Sequence, residues 1–117
     1  MSAKFKLREA GPEWVNEVEN NLTFQTLLDR TEYEGAVSIT RVRINGNHRS
    51  LITNSSLRIY MLIEGEIEFT VEKESGIKLR RGSVLTLESG VTYSLNGSGE
   101  YFVINVPAFK SQDDVYI

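Results

Sequence analysis

Between residues 36 and 106 the chain is broken by glycine at intervals too short for helices, and the runs between the breaks are those of β-strands. Residues 57–63, Leu-Arg-Ile-Tyr-Met-Leu-Ile, are rich in β-branched and aromatic side chains and stop at Glu64-Gly65. Ile67, Phe69 and Val71 then alternate with Glu66, Glu68, Thr70 and Glu72, the period-two pattern of a half-buried strand. A Glu-Gly link between two such runs predicts a hairpin, because glycine supplies the positive φ of a tight turn. Further strands are predicted over residues 77–80, 84–87, 91–95 and 101–106, with turns at Glu74-Ser75-Gly76, Arg81-Gly82, Ser89-Gly90 and Asn96-Gly97-Ser98-Gly99. Residues 36–44 form another strand, ended by Asn45-Gly46-Asn47. Many short strands without helices between them imply an all-β sandwich or barrel. The first thirty residues lack this period. Residues 4–7 suit an edge strand, Gly11-Pro12 marks a turn, and residues 14–18 read as a helical turn or as irregular chain.

A chain of 117 residues is long enough to bury one core. We expect a single domain over 1–117, with an N-terminal segment to residue 35, a barrel core over 36–109 and a tail over 110–117. Its 40% hydrophobic and 25% charged content exclude a largely disordered chain. The net charge is −3, and the basic groups Arg41, Arg43, Arg49 and Lys78, Arg80, Arg81 are interrupted by acidic residues. Neither nucleic acid nor a membrane surface is therefore an expected partner. The absence of cysteine excludes disulfides, thiolate metal sites and cysteine nucleophiles. Residues 1–7 carry two lysines but no apolar run of the signal-peptide kind, and no stretch approaches the ~20 apolar residues of a membrane-spanning helix. A cytoplasmic location is the expectation.

From residue 46 to residue 107 the chain resembles a cupin, a small jelly-roll barrel marked by two motifs. The first places two alternating histidines and a glutamate between two glycines. Gly46 and Gly65 stand at the glycine positions, while Ile52 and Asn54 fall on the histidines and Arg58 on the glutamate. In the second motif Gly82 and Gly90 match, and Glu88, Tyr93 and Gly97 replace the proline, histidine and asparagine. Ile63-Glu64-Gly65-Glu66 and Val106-Pro107-Ala108-Phe109 are also cupin-like. The resemblance implies a cupin-like double-stranded β-helix (jelly-roll) barrel and a homodimer formed through a sheet face. It rests on glycine spacing, which says nothing about activity.

Chemically, the replaced positions argue against a metal cofactor. Isoleucine cannot coordinate, asparagine is a poor transition-metal ligand, and Arg58 places a permanent positive charge where the cation would lie. His48, the one histidine, reads as a solvated loop residue beside Gly46. The resemblance turns Asn54, Arg58, Tyr60, Leu62, Tyr93 and Leu95 into the barrel. Alternation alone would instead bury the wholly apolar odd set, Leu57, Ile59, Met61 and Ile63. Both are satisfied if the odd face packs on a second layer, such as the N-terminal segment or another subunit. An inward Arg58 needs neutralising. Either an internal carboxylate does so, Glu88 being the nearest guess, or a bound anionic group does, with Asn54 and the Tyr93 hydroxyl completing the hydrogen bonds.

Other constellations are weaker. Glu64, Glu66 and Glu68 read as a solvated face, and Arg41 and Arg43 as exposed on one strand. Ser55-Ser56 has no triad partner, and the glycines lie in no strand-to-helix phosphate loop. Tyr60, Tyr93 and Tyr101 either line a pocket or fill the core. The leading expectation is a metal-independent small-molecule binding or sensing domain with a polar pocket of Asn54, Arg58, Tyr60 and Tyr93. The alternative is a metal-independent isomerase or epimerase acting on a sugar-like or anionic substrate, with Tyr93 and Glu88 as acid and base. A filled barrel working through its surface is the third.

Overall fold

Three long antiparallel strands carry the fold in the computed structural model, which describes residues 4–117: β3 (Ser38–Thr53), β4 (Leu57–Val71) and β7 (Thr92–Val106). β7 lies between the other two. β1 (Val15–Glu17) and β2 (Leu22–Leu28) extend the β3 side, β5 (Glu74–Leu79) and β6 (Val84–Leu87) pair with β4, and β8 (Asp114–Tyr116) pairs with β3. Two 3-10 turns, Val18–Asn20 and Tyr33–Gly35, complete the regular structure. The expected all-β class is what the chain adopts. No helix among the described residues is long and apolar enough to cross a membrane. Of the lysine-bearing stretch 1–7, the first three residues lie outside the described residues.

Several predicted breaks are not breaks. Glu64-Gly65 lies inside β4, Asn45-Gly46-Asn47 inside β3, Asn96-Gly97-Ser98-Gly99 inside β7, and Glu74-Ser75-Gly76 inside β5. The hairpin assigned to Glu64-Gly65 forms instead at Glu72-Lys73, where Glu72 takes a positive φ of 54°. The physical reason, at Gly65, Gly97 and Gly99, is a close approach between backbones. Gly65 pairs with Gly99, and Gly97 pairs with both Gly46 and Ile67. A Cβ on Gly65 would overlap the Ser98 carbonyl oxygen, one on Gly97 the Glu66 carbonyl oxygen, and one on Gly99 the Glu64 carbonyl oxygen.

The same region decides which side chains face inward. In β4 the buried set is even at Arg58, Tyr60 and Leu62, then odd at Ile67 and Phe69. The change falls at a register shift between Leu62 and Glu64. β3 does the same: Val42, Ile44 and His48 are buried, then Leu51 and Thr53, across a shift between His48 and Leu51. One extra residue in a bulge reverses the alternation, so each strand keeps its inner face inward along its whole length. The odd set of residues 57–63 therefore faces outward, with Leu57 and Met61 exposed and Ile59 and Ile63 half-buried.

The N-terminal thirty residues hold more structure than their pattern suggests. Residues 4–7 form no strand, whereas β2 pairs with β3 over most of its length. Ahead of it, Gln25 Nε2 donates to the carbonyls of Gly11 and Glu13, and the Trp14 ring lies 4.0 Å from the Arg43 guanidinium. Arg41 and Arg43 are not simply solvated. They donate at 2.8 and 2.7 Å to Glu100, which is buried between them. Burial would raise the Glu100 carboxyl, but the two guanidiniums hold it below the usual range.

Gly97→Ala is expected to destabilise the chain by about 2–4 kcal/mol, combining positive-φ strain with a backbone clash. Gly90→Ala, with open space around the added methyl, is expected to cost about 1 kcal/mol. Urea unfolding of the two variants beside the parent measures the difference.

Candidate functional site

One end of the barrel opens into a cavity of about 350 Å³ whose wall includes Glu17, Thr40, His48, Arg58, Tyr60, Tyr101, Asn105, Phe109, Asp114 and Tyr116. Six strands, β1, β2, β3, β4, β7 and β8, and the segment between β7 and β8 contribute to it. Its floor is organised by Arg58, 4% exposed. Nε donates to Asn105 Oδ1 at 2.7 Å and Nη1 to the Tyr93 hydroxyl at 2.9 Å. The end of the fork meets Asp114, Nη2 to Oδ1 at 2.8 Å and Nη1 to Oδ2 at 3.2 Å. Burial pulls the guanidinium pKa down, but the surrounding tyrosines and Asp114 outweigh it and raise the value above the ordinary one. Arg58 is charged at every relevant pH. A bidentate pair is the geometry that compensates desolvation best, and removing one partner of a buried pair costs about 3–5 kcal/mol.

Of the two ways of neutralising Arg58 that the sequence leaves open, an internal carboxylate is present. Its identity differs from the expectation. Glu88 is exposed, and the partner is Asp114, brought in when β8 pairs with the end of β3 through Thr53. Asn54 is not drawn inward either. It is exposed in the turn after β3, where its N–H donates to the Asp113 carbonyl, because the bulge after His48 has already reversed the alternation. Tyr60 lines the cavity; Tyr93, 1% exposed, stands behind Arg58 and Tyr60 and off its wall.

The Tyr93 oxygen accepts from Arg58 and lies 2.7 Å from the Tyr60 hydroxyl, a bond in which either phenol can donate. Burial raises the pKa of both phenols. Tyr60 is thus a phenol kept protonated on the cavity wall, coupled through Tyr93 to a fixed positive charge.

His48 corrects a second expectation: it is not a solvated loop residue but is 8% exposed and lines the cavity. Its Nδ1 lies 2.9 Å from the Arg49 carbonyl. A carbonyl only accepts, so Nδ1 carries the proton and Nε2 keeps a lone pair. Burial lowers the imidazole pKa and favours this neutral form. Around it, fully buried Asn20 donates to Glu17 at 2.8 Å and to the Tyr116 hydroxyl at 3.2 Å. Its Oδ1 accepts from the Arg49 backbone and side chain, both at 3.0 Å. Tyr116 stacks between His48 and Arg49. Sequence reasoning passes over Asn20, Glu17, Asp114 and Tyr116. The Asn20-Asn21 turn ahead of β2 is the one local signal among them.

A metal ion of the kind many cupins carry does not fit these residues. At the positions where the ligands would stand, Ile52 is aliphatic, Asn54 is exposed, and Arg58 puts its guanidinium into the interior. Among the described residues no three His, Cys, Asp or Glu side chains converge.

These features define a cupin-fold barrel with an open polar mouth floored by an arginine. Solved structures share the fold. Streptomyces Pac13, a nucleoside dehydratase, aligns at TM-score 0.78 and 17% identity over 90% of this chain and 83% of its own in a histidine-to-glutamine variant with uridine. Tyrosine-to-phenylalanine variants of Pac13 with uridine align comparably. KdgF from Halomonas sp. aligns at TM-score 0.71 and 13% identity over 84% of this chain and 88% of its own. Bacillus subtilis oxalate decarboxylase aligns at 0.77 and 15% over the whole chain, which spans about a third of that enzyme, 34%. At these identities the likeness is one of fold. No family model matches the sequence, and no curated protein does.

Because His48 is the sole histidine, the stability of the fold reports its titration. A depressed folded-state pKa means that the unfolded chain takes up the proton first on acidification. Stability is full above the ordinary value of about 6.5 and falls as pH drops below it. The urea midpoint of the parent is expected to fall between about pH 7.5 and about pH 5.5, and that of His48→Gln to change less over the same window.

Proposed function

We propose that the barrel mouth is a metal-independent binding site for a neutral, polyhydroxylated small molecule of nucleoside or sugar type, and that His48 and Tyr60 equip it for proton transfer on that ligand. The observation that carries this reading is a free acceptor, His48 Nε2, and a protonated phenol, Tyr60, on one cavity whose arginine is already neutralised. A neutral imidazole and a phenol kept protonated are a base and an acid suited to abstraction, elimination or epimerisation beside a polarised oxygen. They take the place of Tyr93 and Glu88, which stand off the cavity wall. The aromatic and aliphatic wall of Phe24, Val42, Tyr101 and Phe109 suits the flat face of a base or sugar ring. The uridine-bound Pac13 structures, altered at a histidine and at tyrosines, support the same ligand class.

Calorimetry with uridine is expected to give saturable binding that Tyr60→Phe weakens. In D2O, a ligand C–H under attack by His48 is expected to exchange for deuterium, read by NMR, with the exchange lost in His48→Gln. Binding without exchange favours the pure binding or sensing role, for which the internally neutralised Arg58 floor also speaks.

We further propose that two copies pair through the outer sheet face. Across it Leu57 opposes Val106, Ile59 opposes Ile104 and Met61 opposes Phe102, forming an apolar row in which Leu57, Met61 and Val106 are exposed. Light scattering is expected to give twice the mass of the chain, and Met61→Lys to halve it; a single-chain mass for the parent removes the dimer.

A further inference from the structure

We infer that Asp114 sets the charge selectivity of the barrel mouth: it occupies, as an internal counter-ion, the end of the Arg58 fork that an anionic ligand would take, so the site admits neutral ligands and turns anions away. This rests on the reading of the mouth as a ligand site.

The geometry separates the two sides of the guanidinium. Asn105 and Tyr93 hold Nε and Nη1 from β7, and the outer end, Nη1 with Nη2, is the bidentate face that carboxylates and phosphates recognise. Asp114 fills that face and, like Arg58, borders the cavity. The adjacent aspartate fastens it there. Asp113 is buried, accepts from Ser55 Oγ at 2.8 Å and from the Lys110 N–H at 3.0 Å, and takes the Asn54 N–H on its carbonyl at 2.9 Å. Two consecutive aspartates thus have separate roles, one anchoring the C-terminal segment and the next delivering a carboxylate to the floor.

The consequence is electrostatic. With Asp114 in place, the charged wall residues are two carboxylates, Glu17 and Asp114, against the single Arg58, with His48 neutral. An entering anion meets repulsion and finds the fork filled. Without the Asp114 side chain the same floor is an open guanidinium at the base of a cavity, and it becomes an anion site.

The test pairs two ligands differing in one charged group, uridine and its 5′-carboxylate, by calorimetry on the full chain, on Asp114→Ala and on the near-isosteric Asp114→Asn. The parent is expected to prefer uridine by on the order of tenfold, and the variants to shift the ratio towards the carboxylate by at least that factor. A parent that binds both equally overturns the inference. So do folded variants that lose both ligands alike, the result of a merely structural role. Formate supplies a second arm that needs no nucleoside. Formate, against chloride at equal ionic strength, is expected to raise the melting temperature of Asp114→Ala but not of the parent, nor of Asp114→Ala combined with Arg58→Met. That pattern beside a parent deaf to uridine sinks the proposed ligand class and keeps the role of Asp114; no formate effect in Asp114→Ala sinks the role itself.

Discussion

Where β4 lies against β7, Gly65 faces Gly99 and Gly97 faces the Glu66–Ile67 backbone, with no space for a Cβ at any of the three glycines. Much else follows from that contact. It sets the pairing of the two strands and sits beside the bulge at which β4 reverses its alternation. That reversal lets Arg58, Tyr60 and Leu62 face inward on one half of the strand while Ile67 and Phe69 do so on the other. Without it, one half of β4 would turn its buried set to solvent.

An inward arginine then constrains the rest of the mouth. A guanidinium cannot be buried without partners, and four groups answer it. Asn105 and Tyr93 come from β7, Tyr60 acts through Tyr93, and Asp114 comes from the far end of the chain. The network gives the barrel a polar floor in place of the apolar filling found around Phe69 and Leu95. It also sets the Tyr60 phenol on the cavity wall. Opposite in character, His48 is held by a backbone carbonyl and kept neutral by burial. The groups that hold Tyr60 and His48, Tyr93 on one side and the Arg49 carbonyl on the other, both stand off the cavity wall.

The outer surface follows from the same reversal. Because the even residues of 57–63 go inward, the apolar odd set is left outside beside Phe102 and Ile104. Its hydrophobicity is not a sign of core, and period-two counting on β4 alone points the wrong way. Two residues from Phe102 along β7, Glu100 sits buried between Arg41 and Arg43 under Trp14, joining the N-terminal segment to β3 and β7.

By itself the sequence determined the all-β class and the positions of most strands, which follow from side-chain alternation and glycine. The inward Arg58 was legible only through the cupin resemblance, since alternation on β4 pointed it outward. Only the tertiary structure decided that Gly46, Gly65 and Gly97 are strand interiors rather than turns. A glycine needed for a positive φ and one needed for backbone contact look alike in sequence, and the second kind is defined by a partner strand. It also chose Asp114 over Glu88, placed Asn54 outside and brought His48 in. The Arg58–Asp114 pair spans 56 residues, and the bulge after His48 that turns Leu51 and Thr53 inward and leaves Asn54 outside makes no mark on the local pattern. Contacts at that separation depend on how the long strands register against one another, which local spacing does not contain.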